Sequence, residues 1–291
     1  MRLRLRARMR GAVCALLSVC MAPALAYGVR DAQGRTVEFA QAPQRIVSLL
    51  PSVTESLCAL GACARLVGVD AFSNHPHEAA ALPRLGTGGA PSVEAIVRLR
   101  PDVVLMAHSP PLMAQLAQFG IPVLALDAHD LAGMRAQWHM LDALLQQQRA
   151  DALIARLEAG VARVAQSTQA HAGQSVYFEV DATPYAAGPG SFIGELLTAL
   201  GARNIIAPGL GPFPRLAPEY IVRQNPQLII HTAETSARDL AQRPGWAATD
   251  AVRSGMICSL GRAETDLVSR PGPRLAEAAA VLARCLQLAP R

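Results

Sequence analysis

The chain contains no lysine; all 27 of its basic residues are arginine. A phosphate loop needs a lysine followed by serine or threonine, so the glycine-rich "GTGG" at 86–89 reads as a flexible turn. HExxH, Cys–His zinc spacing and a GxSxG nucleophile elbow are also missing. These absences remove the commonest metal-hydrolase, zinc-finger and serine-hydrolase readings. Beyond the N-terminus no apolar run is long and unbroken enough for a transmembrane helix. The first 26 residues hold five arginines and no acid. Setting those five aside leaves 22 basic against 22 acidic residues, so the overall positive charge is no argument for a nucleic-acid or acidic-lipid partner.

Those first residues have a logic of their own. "MRLRLRARMR" is a basic opening, "GAVCALLSVCMA" a short apolar run, and "APALA" offers small residues at Ala24 and Ala26. That order predicts a secretory signal over 1–26, cleaved after Ala26 and releasing the chain to the periplasm. Lipid anchoring at Cys20 is the alternative, with Val19 a poor neighbour for it. Four cysteines survive cleavage: Cys58, Cys63, Cys258 and Cys285. In an exported chain an even number favours disulfides. The short spacings make Cys58–Cys63 and Cys258–Cys285 the natural pairs, while buried free thiols remain the other reading.

Past the signal, strand and helix alternate. A hairpin is expected from Val29 to Phe39, turning at Gln33-Gly34. Apolar strands follow in "RIVSLLP", "RLVGVD", "PDVVLMA" and "IPVLALD", separated by helical stretches such as "SVTESLCALGA" and "LMAQLAQFG". Unbroken apolar strands between helices mark a parallel sheet covered on both faces. From about 131 to 170 the pattern turns helical, with an apolar face at Ala152, Leu153, Ala155 and Leu157. Gly160 weakens that helix slightly. The alternation then restarts with "SVYFEV", "PQLIIH" and "GMICSL" and closes on the helix "RLAEAAAVLARCLQL". This predicts an α/β lobe over 27–148, a connecting helix over 149–170 and a second α/β lobe over 171–291.

The two lobes repeat each other. "SVEAIVRLRPDVVL" (92–105) matches "APEYIVRQNPQLII" (217–230), pairing Glu94 with Glu219 and Arg98 with Arg223. "ESLCALGA" (55–62) matches "ELLTALGA" (195–202). Two copies of such length are too few and too long for a solenoid. In open parallel sheets ligands sit at the carboxyl ends of strands. His75, His108, His129 and His231 are expected just past strands, giving a cleft rich in imidazoles.

Taken in order, "RIVSLLPSVTESLCALGA", "LVGVDAFSNHP", "LPRLGTGG", "SVEAIVRLRPDVVL", "GPGSFIGELLTALGARNI", "GWAATDAVRSGMI" and "SRPGPRLAEAA" resemble the periplasmic solute-binding proteins of ABC importers for cobalamin, haem and ferric siderophores. The likeness runs from about 40 to 291 and is nearest the cobalamin-binding branch. It implies a class III binding-protein fold, two Rossmann-like lobes joined by one long rigid helix. It implies a monomer that binds no nucleic acid, has no resident cofactor and carries no catalysis. Its cargo would be a corrinoid, with haem or a ferric siderophore as the alternative. The resemblance assigns ligand contacts to His75, His108, Tyr185, Phe213, Asp266 and Arg270, and permease docking to Glu94 and Glu219. The branch also carries aromatics near the positions of Gly88 and His108, which this sequence lacks. Its aromatic content of 4% is thin for stacking on a macrocycle. A hydrolytic cleft is the competing class, but no nucleophile–base spacing stands out.

Overall fold

The computed structural model describes residues 26–87, 89–181, 185–233 and 235–289. The expected signal up to residue 25, with its Cys20 alternative, falls outside the described residues, as does Gly88.

The chain opens with an antiparallel hairpin, Tyr27–Arg30 paired with Thr36–Phe39. Two four-stranded parallel sheets follow. Across the first run Leu66–Val69, Ile46–Ser48, Val103–Ala107 and Val123–Leu126. Across the second run Arg203–Asn204, Ser175–Glu179, Leu228–His231 and Ile257–Ser259. Numbered within each sheet along the chain, both have the order 2-1-3-4. The repeated sequence is therefore a repeated topology. In both sheets the order reverses between the first and third strands, where the diverging loops open a crevice at the carboxyl ends.

The strands are buried because helices cover them. Val103, Val104, Leu105 and Met106 are all buried, as are Tyr177, Phe178, Leu228, Ile229 and Ile230. Pro51–Ala59 starts on Pro51, whose fixed φ suits a first helical position. Phe192–Ala199, its counterpart in the second copy, is capped by Ser191 accepting the Gly194 N–H at 3.0 Å. Gly194 has a packing reason: a Cβ there would stand 2.0 Å from the Gly188 carbonyl oxygen.

Between the sheets lie two helices. Leu131–Leu145 ends on Gln146 in the left-handed region, and the chain re-enters helix at Ala150–Gln166. The latter carries the chain from the first sheet to the second. Its buried stripe is Ala150, Leu153, Leu157 and Gly160, at spacings of three and four. Ala152 and Ala155, expected on the apolar face, are exposed, because they lie on the opposite side of the 3.6-residue turn from Leu153 and Leu157. Gly160 earns its place through contact: a Cβ would stand 2.7 Å from the Ala276 Cβ of the last helix, Leu275–Leu286. That last helix buries Leu275, Leu282 and Leu286, each contributing about 1.5–3 kcal/mol.

Two disulfides close local loops. Cys58–Cys63 ties the end of Pro51–Ala59 to the following turn, and Cys258–Cys285 staples the strand Ile257–Ser259 to the last helix. In the chain-entropy model the 27-residue separation contributes about 3.5 kcal/mol and the five-residue one about 2 kcal/mol.

Candidate functional site

The carboxyl ends of the first-lobe strands face the helix Arg262–Val268 and the segment after it across a cleft of about 410 Å³ between the lobes. The first lobe supplies Leu50–Ser52, Phe72, Ala107 and the run Leu126–Ala128. The second supplies Thr265, Asp266 and Ser269–Pro271. Phe72 follows the strand Leu66–Val69 by three residues and is 59% exposed, unusual for an aromatic with a core available. An aromatic just past a strand end was the signal in "VGVDAFSN", and sequence reasoning passed over it in favour of the nearby histidine.

On the second lobe Tyr185 is 41% exposed and its backbone bridges to Arg215. Phe213 is half-buried, with Phe192 at 6.3 Å and His129 of the first lobe at 6.4 Å, both edge-on. His129 in turn meets Asp127, Nε2 to Oδ1 at 2.8 Å. Phe213, His129 and Asp127 thus form a contact chain from one lobe to the other. The Phe192 N–H also donates to the His129 carbonyl at 2.8 Å.

Asp266 and Arg270 sit together, although the helix carrying Asp266 ends at Val268 before Arg270. Arg270 Nη2 lies 3.1 Å from Asp266 Oδ2. The guanidinium is largely buried and has further acceptors. Nη1 donates to Glu55 Oε1 at 3.0 Å and to Asn74 Oδ1 at 2.7 Å, and Nη2 to the Phe72 carbonyl at 3.1 Å. All three acceptors belong to the first lobe. Asn74 Nδ2 donates to Asp266 Oδ2 at 3.1 Å. Arg270 therefore joins the lobes at the cleft edge, while the bonds Asp266 makes among the described residues engage Oδ2 alone.

The histidines divide. His108 directly follows Ala107 of the cleft and is exposed, as is His129. His75 is exposed but lines a separate depression with Glu55, Cys58, Glu78 and Arg274. His231 is no cleft group; it ends its strand and is 1% exposed. Its Nδ1 contacts the Thr232 carbonyl at 2.9 Å and its Nε2 the Ser259 hydroxyl at 2.6 Å. Burial holds its pKa below the ordinary imidazole value. Among the described residues no group of three or more His, Cys, Asp and Glu side chains is placed to hold a metal ion.

Behind the second-lobe wall lies a buried ionic cluster. Glu179 is 0% exposed. Arg243 forks onto it at 2.5 and 2.9 Å, and the Tyr177 and Thr235 hydroxyls donate at 3.1 and 3.2 Å. Arg243 also stacks 4.7 Å from the ring centre of buried Trp246. Burial, reinforced by the Glu179 charge, pushes the Tyr177 phenol far above its usual range, so it stays a donor. Next to this anchor, Glu179 bridges Ala186 and the Val180 N–H donates to the Tyr185 carbonyl at 2.8 Å. The backbone of exposed Tyr185 is thereby tied to the strand end beside this cluster.

Glu94 and Glu219 both stand in the first turn of a short helix, Val93–Arg98 and Pro218–Gln224, and both are exposed. Ser92 caps the first helix by accepting the Ala95 N–H at 3.2 Å, and its hydroxyl also donates to Glu94 at 3.3 Å. Neither glutamate borders the cleft.

The sequence from residue 46 to 263 matches the model of the "Periplasmic binding protein" family. The chain belongs to this family. Its members are substrate-binding transport proteins, not enzymes, so a small-molecule ligand and an associated ABC permease come with membership. The fold is that of class III periplasmic binding proteins. A Bacillus subtilis relative, described as an uncharacterized ABC transporter substrate-binding lipoprotein, YvrC, is 30% identical over 89% of this chain and 84% of its own. A vitamin B12-binding protein of Pectobacterium atrosepticum is 26% identical over 85% of this chain and 89% of its own. Among solved structures, a periplasmic haem-binding protein from Pseudomonas aeruginosa superposes with a TM-score of 0.69 at 28% identity, covering 86% of this chain and 95% of that one. Relatives in the family are thus named vitamin B12-binding and haem-binding proteins, while the Bacillus subtilis relative has no named ligand. No helix among the described residues is long and apolar enough to cross a membrane.

Proposed function

We propose that this chain captures a corrinoid, cobalamin, in the cleft between its lobes and delivers it to the permease of an ABC importer. One observation carries the choice of ligand. The charged groups on the cleft are Asp127, Asp266 and Arg270, and Arg270 is already engaged by Glu55 and Asp266. Among the described residues the cleft thus presents carboxylates that each keep one oxygen outside these ion pairs, Asp127 being met by His129 at Oδ1 and Asp266 by Arg270 and Asn74 at Oδ2, and no cation there lacks a carboxylate partner. The edge of a corrin carries carboxamides, whose N–H groups donate well to carboxylates. The edge of haem carries propionates, which carboxylates repel. Phe72 supplies an apolar face for a flat ring on the first lobe; in this proposal the same role falls to exposed Tyr185 and half-buried Phe213 of the second lobe, which stand outside the lining of this cleft.

Haem is the second reading, and exposed His108 and His129 favour it as donors to a metal centre. His75 is set apart from that role by its separate depression. A ferric siderophore is the third cargo in the same importer class. Calorimetry of ligand-free protein with cyanocobalamin, haemin and a ferric siderophore decides among them. Cyanocobalamin should bind most tightly, and Asp266→Asn should weaken it by removing an acceptor charge. Haemin binding with no cobalamin binding would overturn the corrinoid reading.

The same proposal gives Glu94 and Glu219 the role of docking groups, one per lobe, for arginines of the permease. It takes the mature chain to be a periplasmic monomer beginning at Tyr27. A lipid on Cys20, in the manner of the Bacillus lipoprotein, is the alternative anchor, and the mass of the exported N-terminus separates the two.

A further inference from the structure

The internal repeat carries a second pair of glutamates that neither docking nor ligand binding uses. Glu55 opens "ESLCALGA" and Glu195 opens "ELLTALGA", the same position of the two copies. Each stands on the first helix of its own lobe, Pro51–Ala59 and Phe192–Ala199. Both side chains reach out of that lobe.

Glu55 accepts Arg274 Nε and Nη2, each at 2.8 Å, and Arg270 Nη1 at 3.0 Å. Both arginines lie between the helices Arg262–Val268 and Leu275–Leu286 of the second lobe. Glu195 makes the converse contact. Its Oε2 accepts the N–H of Leu131 at 2.6 Å. Leu131 begins the helix Leu131–Leu145, which belongs to the first lobe: Trp138 on that helix donates to Ser56 at 3.0 Å, and its Leu144 carbonyl accepts the Tyr27 hydroxyl at 2.6 Å. Among the described residues every side-chain hydrogen bond of the two carboxylates crosses from one lobe to the other. A glutamate kept only for the folding of its own lobe would have no reason to do so in both copies.

We propose that Glu55 and Glu195 are paired lobe ties that set the angle between the lobes, and with it the separation of Glu94 and Glu219. The chemistry of each tie suits the task. The Glu55 side chain is 2% exposed, so water screens its attraction to the arginines little, and the fork with Arg274 fixes direction as well as distance. Glu195 meets a helix start, where unpaired N–H groups favour a carboxylate. The two ties run in opposite senses, first lobe to second and second to first, so together they resist a tilt that either alone would permit. Arg270 extends the Glu55 tie to the cleft through the Phe72 carbonyl and Asp266. A ligand that moves either group would therefore act on the tie.

Pulsed dipolar spectroscopy tests this on ligand-free protein, so its outcome does not depend on which cargo binds. Nitroxides go on Arg98→Cys and Arg223→Cys, exposed positions of the two docking helices. The native cysteines after the signal are held in disulfides and stay unlabelled. A control pair, Arg98→Cys with Gln115→Cys, lies within the first lobe. Glu55→Gln and Glu195→Gln should each broaden the distance distribution between lobes about twofold, and the double variant more, while the control distribution stays unchanged. Should Glu55→Gln fail to fold, Arg274→Lys breaks the same fork while keeping the charge. Unchanged widths between the lobes in folded variants of both ties would overturn the proposal. Broadening from only one of the two would overturn the pairing.

Discussion

Replacing Glu179 with glutamine would remove one charge from the most enclosed ion pair of the second lobe. The carboxylate is 0% exposed and holds four hydrogen bonds, two from Arg243 and one each from Tyr177 and Thr235. Glutamine has nearly the same shape and keeps one acceptor, so the perturbation is mainly electrostatic. It leaves a guanidinium whose side chain is only 20% exposed without its bonded carboxylate, Asp239 being the acidic group that still acts on it. Orphaning a buried ion typically costs about 3–5 kcal/mol, and the remaining exposure of Arg243 puts this case near about 3 kcal/mol. For a unit of this size that corresponds to a melting temperature lowered by about 6–12 °C. Removing both partners, as Glu179→Met with Arg243→Met, should restore most of the loss, because an apolar pair leaves no buried charge. Differential scanning calorimetry on the three proteins reads the outcome directly. A Glu179→Gln variant melting within 2 °C of the parent, on the scale of about 1 kcal/mol, would refute the orphaned-charge account. So would a double variant as unstable as the single one. Cleft binding should weaken alongside stability, since Glu179 anchors the segment that presents Tyr185.

Two further predictions follow from other side chains. His231 stays neutral in the fold because burial lowers its pKa below 6.5, while the unfolded chain binds that proton at about its ordinary value. Its contribution is therefore complete above that pH and declines as pH falls below it; the drop in melting temperature between pH 7.5 and 5.5 should shrink in His231→Gln. Changing Glu94 and Glu219 together to alanine should leave ligand affinity unaltered and weaken permease association, more at low salt than at high. Stability should fall by no more than about 1 kcal/mol per site, since Ser92 still caps the first helix. Full uptake by the double variant would end the docking reading.

Local signals carried much of the fold. The alternation of apolar strands with helical stretches specified two parallel sheets, since a strand buried on both faces has to be apolar throughout. The repeat of "EAIVR" and "EYIVR" specified that the sheets are relatives, and they share one strand order. Cysteine spacings of five and 27 residues point to the two pairs but leave free thiols open, and the fold brings each pair within bonding distance. Each of these rests on short stretches whose meaning does not change with distant surroundings.

Tertiary structure decided what the polar residues do. His108 and His231 both follow apolar strands and look alike in sequence. His231, however, sits inside a sheet with Glu179 and Ser259 as its register partners on either side, so burial and a serine hydroxyl claim its ring. His108 lies beyond its strand and meets solvent. Asp266 and Arg270 are assigned to the ligand by the resemblance, and only their four-residue spacing is local. The partners that hold Arg270, Glu55 above all, are some 215 residues away and arrive when the lobes assemble. By itself the sequence determined two related α/β units with histidines expected just past strand ends. Which polar groups face the cleft, and which hold the lobes together, was decided by packing, because charge and hydrogen-bond partners are chosen by proximity in space.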